Sequence, residues 1–328
     1  MLPVLTAHNE IRIGGHFSVS FQRTLRLPED EKTYALPPGL GKFPIRMVED
    51  YKDRVPASWA SKGGVFISMY QREALWLAFK GVHWRPNAVK VGVGMINALN
   101  GRPWVQSLSG DDQDYVVVPN QPWLDGINAG KGLIRQFVAM PLGMGFTVEG
   151  QVTGNEEHGG LQIIVYDPKS GKFPDEAPHL APVQGPRFCI AEPATFDCAM
   201  GLAAGGKMRQ QIYPDEYGVE TWDQNEFGRV YIHIVNSMMY REITGSEPPP
   251  TPVTAKQYAG AGLPWFDLYD QDKGTLAESS ILTGVQSTGE IHKKLGIHLQ
   301  DGDTGINVPE GHVKKIRVKK GVITDGNW

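Results

Sequence analysis

Residues of the right types for chemistry stand together at a few points in this sequence. Gly201-Leu-Ala-Ala-Gly-Gly206-Lys207 satisfies the first part of the phosphate-loop pattern, G-x-x-x-x-G-K. That mechanism needs backbone N–H groups around the phosphates, a lysine on them and a Ser or Thr hydroxyl on magnesium. Met208 stands where the hydroxyl should be, and the preceding Glu192 to Met200 does not read as a buried strand. The segment therefore reads as a flexible glycine loop. Glu156-Glu157-His158, with Glu149 upstream, has the residue types to hold a divalent ion or to act as acid and base. Adjacent carboxylates in extended backbone point to opposite faces. With Gly154, Gly159 and Gly160 around them, a solvated hairpin tip is the expectation. Asp267, Asp270 and Asp272 precede Gly274, but the glycine falls wrongly for an EF-hand loop, and Asp301-Gly-Asp303 is weaker still. His292 and His298 lack the i, i+4 spacing of a helical zinc site.

The Pro-Trp pairs carry more. Pro103-Trp104, Pro122-Trp123 and Pro264-Trp265 each present an indole from stiff, non-helical backbone. Two extend to Pro-Trp-apolar-Asp, ending at Asp125 and Asp267. Trp104, Trp123, Asp125, Trp265 and Asp267 are the candidate ligand-binding residues: together they would stack a glycan or another small planar ligand against carboxylates. The opposite reading makes the rings core anchors and the aspartates turn formers, and it is preferred. No G-x-S-x-G elbow or Cys–His constellation is present, so no catalytic residue, metal or cofactor is assigned. Catalytic residues can be far apart in sequence, so a hydrolase or carbohydrate-active cleft stays as the alternative.

The elements that would position these residues are mostly strands. Phe17, Val19 and Phe21 alternate with Ser18, Ser20 and Gln22, a half-buried strand. Further strands are expected at 65–67, 71–79, 89–99, 115–118, 134–140, 146–153, 161–166 and 230–235, with Asn100-Gly101 as a hairpin turn. Ser237 to Thr244 reads as a helix stopped by Gly245, and Thr254-Ala-Lys-Gln257 as a capping box opening a short one. Gly245-Ser-Glu-Pro-Pro-Pro-Thr-Pro252 is the clearest boundary. It divides a β-rich main domain, 1–245, from 246–328, read as a Pro-rich strap, a short helix and a Lys-rich C-terminal edge strand over 313–323, packed on the main domain. The fold class is mainly β: a β-sandwich or jelly-roll-like body with few short helices and long ordered Pro/Gly-rich loops.

Composition bounds the function. With 328 residues, 41% hydrophobic and 21% charged, the chain can bury a sizeable core. A net charge of −4 with no basic face argues against a nucleic-acid partner. No run approaches the roughly 20 apolar residues of a membrane helix, and the N-terminus does not read as a signal peptide. Cys189 and Cys198 fit no metal or redox spacing and are expected as free thiols of a cytoplasmic chain. These readings converge on a non-catalytic intracellular protein that acts through its surface, with further copies of itself as the expected partner.

Overall fold

The computed structural model describes residues 1–30, 32–176, 199–251, 253–269, 274–297, 306–319 and 322–324. Cys189, Cys198, Asp270, Asp272, His298, Asp301 and Asp303 lie outside the described residues.

The chain opens with β1 (Val4–Ala7), β2 (Glu10–Ile13) and β3 (Phe17–Thr24), then the short β4 (Thr33–Tyr34), β5 (Gly39–Lys42) and β6 (Arg46–Met47). Helix α1 (Ala57–Lys62) leads into β7 (Val65–Met69), β8 (Ala74–Lys80), β9 (Asn87–Val93) and β10 (Ile96–Asn97). Next come β11 (Val116–Val118), β12 (Trp123–Leu124), β13 (Gly126–Gly130) and β14 (Leu133–Pro141). Helix α2 (Val148–Thr153) separates these from β15 (Leu161–Pro168), β16 (Ala199–Arg209) and β17 (Trp222–Asn236). Helices α3 (Ser237–Thr244) and α4 (Ala255–Gly260), strand β18 (Trp265–Tyr269), helix α5 (Thr288–Lys294) and strands β19 (Val313–Lys319) and β20 (Val322–Thr324) complete the order.

The body is mainly β and largely antiparallel. One run of strands passes from β1 through β2, β3, β8 and β14 to β16. A second passes from β11 through β9 and β15 to β17, then to β7, which joins β17 in parallel, and on to the short β6. The two meet where Ala199 and Met200 of β16 pair with Val235 and Ile234 of β17. Val19 and Phe21 of β3, Leu75 and Leu77 of β8, Val91 of β9, Ile163 of β15 and Ile232 of β17 share one hydrophobic cluster. The period-two alternation of these strands is what lets each give one face to that core. No helix among the described residues is long and apolar enough to cross a membrane.

Described residues of the segment after Gly245 contact this body. Arg23 donates both to Glu73 and, at 2.6 Å, to the Pro250 carbonyl. Phe266 and Leu36 exchange backbone hydrogen bonds, and Trp265 joins the main cluster. The stretch 313–323, read from sequence as one edge strand, is two strands: β19 lies between β18, its parallel partner, and β20.

Three further expectations need correction. The alternating run Phe146 to Thr153 is a loop and a helix, not a strand. Thr147 Oγ1 accepts the Gly150 N–H at 3.0 Å, an N-cap, and Gly154 closes the helix at φ 80°. Glu156 reaches back to accept from the Thr147 N–H, 3.0 Å. The glycine run 201–207 is not a loop but the middle of β16. Its glycines are there for close approach: a Cβ on Gly205 would stand 2.5 Å from Val138 Cγ2, and one on Gly206 2.4 Å from the Pro28 carbonyl oxygen. The hairpin after β9 turns at Gly94-Met95, both at positive φ, while Asn100-Gly101 closes a return that bonds Asn97 N–H to the Arg102 carbonyl.

Candidate functional site

A groove of about 860 Å3 opens between β1 and the α1–β7 connection, with β17 as its floor. Its position follows from the end of α1. The turn Gly63-Gly64, at φ 66° and 86°, leads the chain onto β17 so tightly that a Cβ on Gly64 would meet the Tyr231 carbonyl oxygen at 2.2 Å. Only glycine tolerates both demands.

Tyr231 lines one wall and is backed by a column of buried rings. The Trp59 and His233 rings stack at 4.4 Å, His233 and Tyr231 at 4.5 Å, and Lys62 Nζ lies 4.8 Å from the Tyr231 ring centroid. His233 is buried, and its Nε2 lies 3.0 Å from the Gly63 carbonyl, so that nitrogen carries the proton. Burial pushes its pKa down to about 4, the Lys62 charge adding to the effect against the Gly63 hydrogen bond. The imidazole is a neutral stacking plate, as its place opposite Ile232 and Ile234 on β17 implies.

Trp104 lines the other side. Its ring rests on β9 at Gly92, where a Cβ would come within 2.7 Å of Cε3, and Lys90 Nζ sits 5.6 Å from the ring centroid. Lys90 is itself buried, donating to the Ser107 carbonyl at 2.6 Å and to Asp114 at 2.5 Å. The Met95 N–H and the Gly159 carbonyl are both held by Gln162, at 2.7 and 3.0 Å. Beneath this rim Glu149 accepts three backbone N–H groups, from Glu157, His158 and Gly159 at 2.8–3.0 Å. Glu149 and Glu156 thus hold the 155–159 loop from inside. Among the described residues no cluster of three His, Cys, Asp or Glu is set to hold a metal ion.

The structure distributes the Trp and Asp residues singled out from sequence. Trp104 lines the groove. Trp123 is 9% exposed and packs edge-on to Trp76 at 6.4 Å. Asp125 is buried and doubly bonded to Gln210: its N–H donates to Oε1 at 3.0 Å and its carboxyl accepts from Nε2 at 2.6 Å. Trp265 is fully buried, and Asp267 faces Arg209 at 3.4 Å. The successive residues Arg209 and Gln210 therefore take one aspartate each. Lys62, Tyr231, His233 and Arg229 were not singled out as site residues. They come from a helix end and the outer face of β17, and no sequence motif joins them. No protein-family model, no curated protein and no solved structure matches this chain.

Proposed function

We propose that the protein is a non-catalytic cytoplasmic protein that acts through its surface, associating with further copies of itself into a homo-oligomer or larger assembly. The observation that carries this is β1. It pairs with β2 alone among the named strands, leaves Val4 37% and Leu5 62% exposed, and flanks the groove. Exposed edge strands of monomers are normally guarded by charge or proline, and Val4-Leu-Thr-Ala7 has neither. The alternative, a hydrolase or carbohydrate-active enzyme with Trp and Asp or Glu lining a cleft, is demoted by the burial of Trp123 and Trp265.

Light scattering coupled to size exclusion tests the reading. A species heavier than the 36.1 kDa chain is expected, with Leu5→Lys returning it toward monomer. A clean monomer at roughly 10 μM, well above the affinity of an ordinary stable interface, would overturn it.

A further inference from the structure

The floor of the groove is an interrupted sheet edge. β17 is covered on its outer side by β7 only from Ile232 onward, where Ile232 pairs with Val65. Five residues earlier, the Phe227 carbonyl accepts the Leu2 N–H at 2.9 Å. In an antiparallel pair the N–H and C=O of alternate residues point to the same side. Phe227 points away from β15, so Arg229 and Tyr231 do too. Among the described residues no named strand pairs with β17 between Phe227 and Ile232 on that side. The Tyr231 carbonyl is already covered by the Gly64–Val65 entry to β7, where a Cβ on Gly64 would stand 2.2 Å from it. The open groups are therefore the Arg229 N–H and C=O and the Tyr231 N–H. The lining confirms an opening at the edge, because it includes Val230 from the core side of β17 as well as Arg229 and Tyr231 from the outer side.

From this we infer that the groove accepts an extended acidic peptide segment of a partner protein, added as a short strand to β17 through the Arg229 N–H and C=O and the Tyr231 N–H. The inference rests on the reading that this face is the acting surface, and it names a partner class for it. Backbone bonds to an open edge supply affinity, and the alternating side chains supply selection. Here the two faces ask for different residues. Side chains of the added strand on the core side would meet Val65 and Val230, an apolar surface. Those on the outer side would meet Lys62 and Arg229. Among the described residues Lys62 makes no ion pair and rests on the Tyr231 ring, and Arg229 donates only to the neutral Gln106 Oε1, at 3.3 Å. The one carboxylate on the rim, Glu49, is already paired with Lys52 at 2.5 Å. The uncompensated charge of the groove is positive, although the chain as a whole is at −4. Alternating apolar and acidic residues match both faces.

The test titrates the full-length chain against a fluorescein-labelled octapeptide of alternating valine and glutamate, read by anisotropy. Companion peptides replace glutamate by lysine, or carry N-methyl groups on one or the other set of alternate residues. The acidic peptide should saturate, and the lysine peptide should bind at least about tenfold more weakly. One N-methyl register should lose at least about tenfold and the other should keep binding, because only one set of N–H groups faces the β17 edge. Lys62→Glu and Arg229→Glu, both exposed changes, should each weaken binding by about tenfold with unchanged circular dichroism. Equal binding of both N-methyl registers, equal binding of the lysine peptide, or no saturation up to about 1 mM would overturn the inference. Light scattering on the same samples separates it from self-association: an oligomer that ignores the peptide sinks this inference and leaves the other reading standing.

Discussion

At neutral pH the Asp125 carboxyl is close to half protonated, because burial pushes its pKa up to about 7 against the hydrogen bonds from Gln210 and the Trp123 indole. The folded pKa is raised, so its contribution is fully present below the unfolded value of 3.8 and is lost as pH rises through 7. The loss amounts to roughly 4 kcal/mol by pH 8. Asp125→Asn keeps an acceptor for Gln210 and removes the titration. Urea melts should show the variant more stable than the parent at pH 8 and little changed at pH 4. His233 works in the opposite direction. Its pKa is depressed from 6.5 to about 4, so it contributes stability above pH 6.5 that is lost as pH falls through 4. The penalty is about 3 kcal/mol at the acid end. In His233→Gln, which retains a donor for the Gly63 carbonyl, the fall in midpoint between pH 6.5 and 4 should flatten; an unchanged acid limb would rule out the neutral-plate reading.

Helix α2 and the loop after it are held by carboxylates rather than by apolar packing alone. Glu149→Gln places an amide N–H against backbone N–H groups that now have an acceptor, a cost of about 1.5–3 kcal/mol for a charged hydrogen-bond set. Hydrogen exchange should quicken at Glu157, His158 and Gly159 while the β15 amides stay protected. This is also where the sequence was least readable. Strand β3 and helices α3 and α4 are legible because their signals are local: alternation, a glycine stop, a capping box completed by Gln257. Helix α2 is not, because Phe146, Val148, Gly150 and Val152 alternate like a strand, and the turn is set by Glu156 folding back. Strand β16 is not, because its glycines answer to Val138 and Pro28, far off in the chain. The groove is the extreme case: residues 4–6, 61–65, 104 and 229–231 form it, and each segment alone looks like ordinary strand or turn.

Across the whole molecule, the question is whether residues 246–328 are an appendage or part of the body. The contacts argue for the second. Trp265, Leu282, Val285 and Ile306 are buried in the main cluster. Asn128 Nδ2 donates to the Ala277 carbonyl at 2.9 Å, and Ser279 Oγ to the Asn100 carbonyl at 2.5 Å. The wholly buried Glu29 side chain takes Thr288 Oγ1 at 2.6–2.7 Å and the Gly289 N–H at the start of α5. Trp265→Ala should cost about 3–5 kcal/mol, the usual range for a buried aromatic. Trp265→Phe should cost far less, because the indole N–H has no hydrogen-bond partner among the described residues to lose. A chain ending at Gly245 removes all of these contacts at once and bares the part of the main cluster that Trp265, Leu282, Val285 and Ile306 cover. It should bind a hydrophobic dye and lose its near-ultraviolet dichroism while keeping β-sheet signal in the far ultraviolet. If it instead melts cooperatively with the parent's near-ultraviolet spectrum, the main body folds alone and the C-terminal quarter is a separable domain.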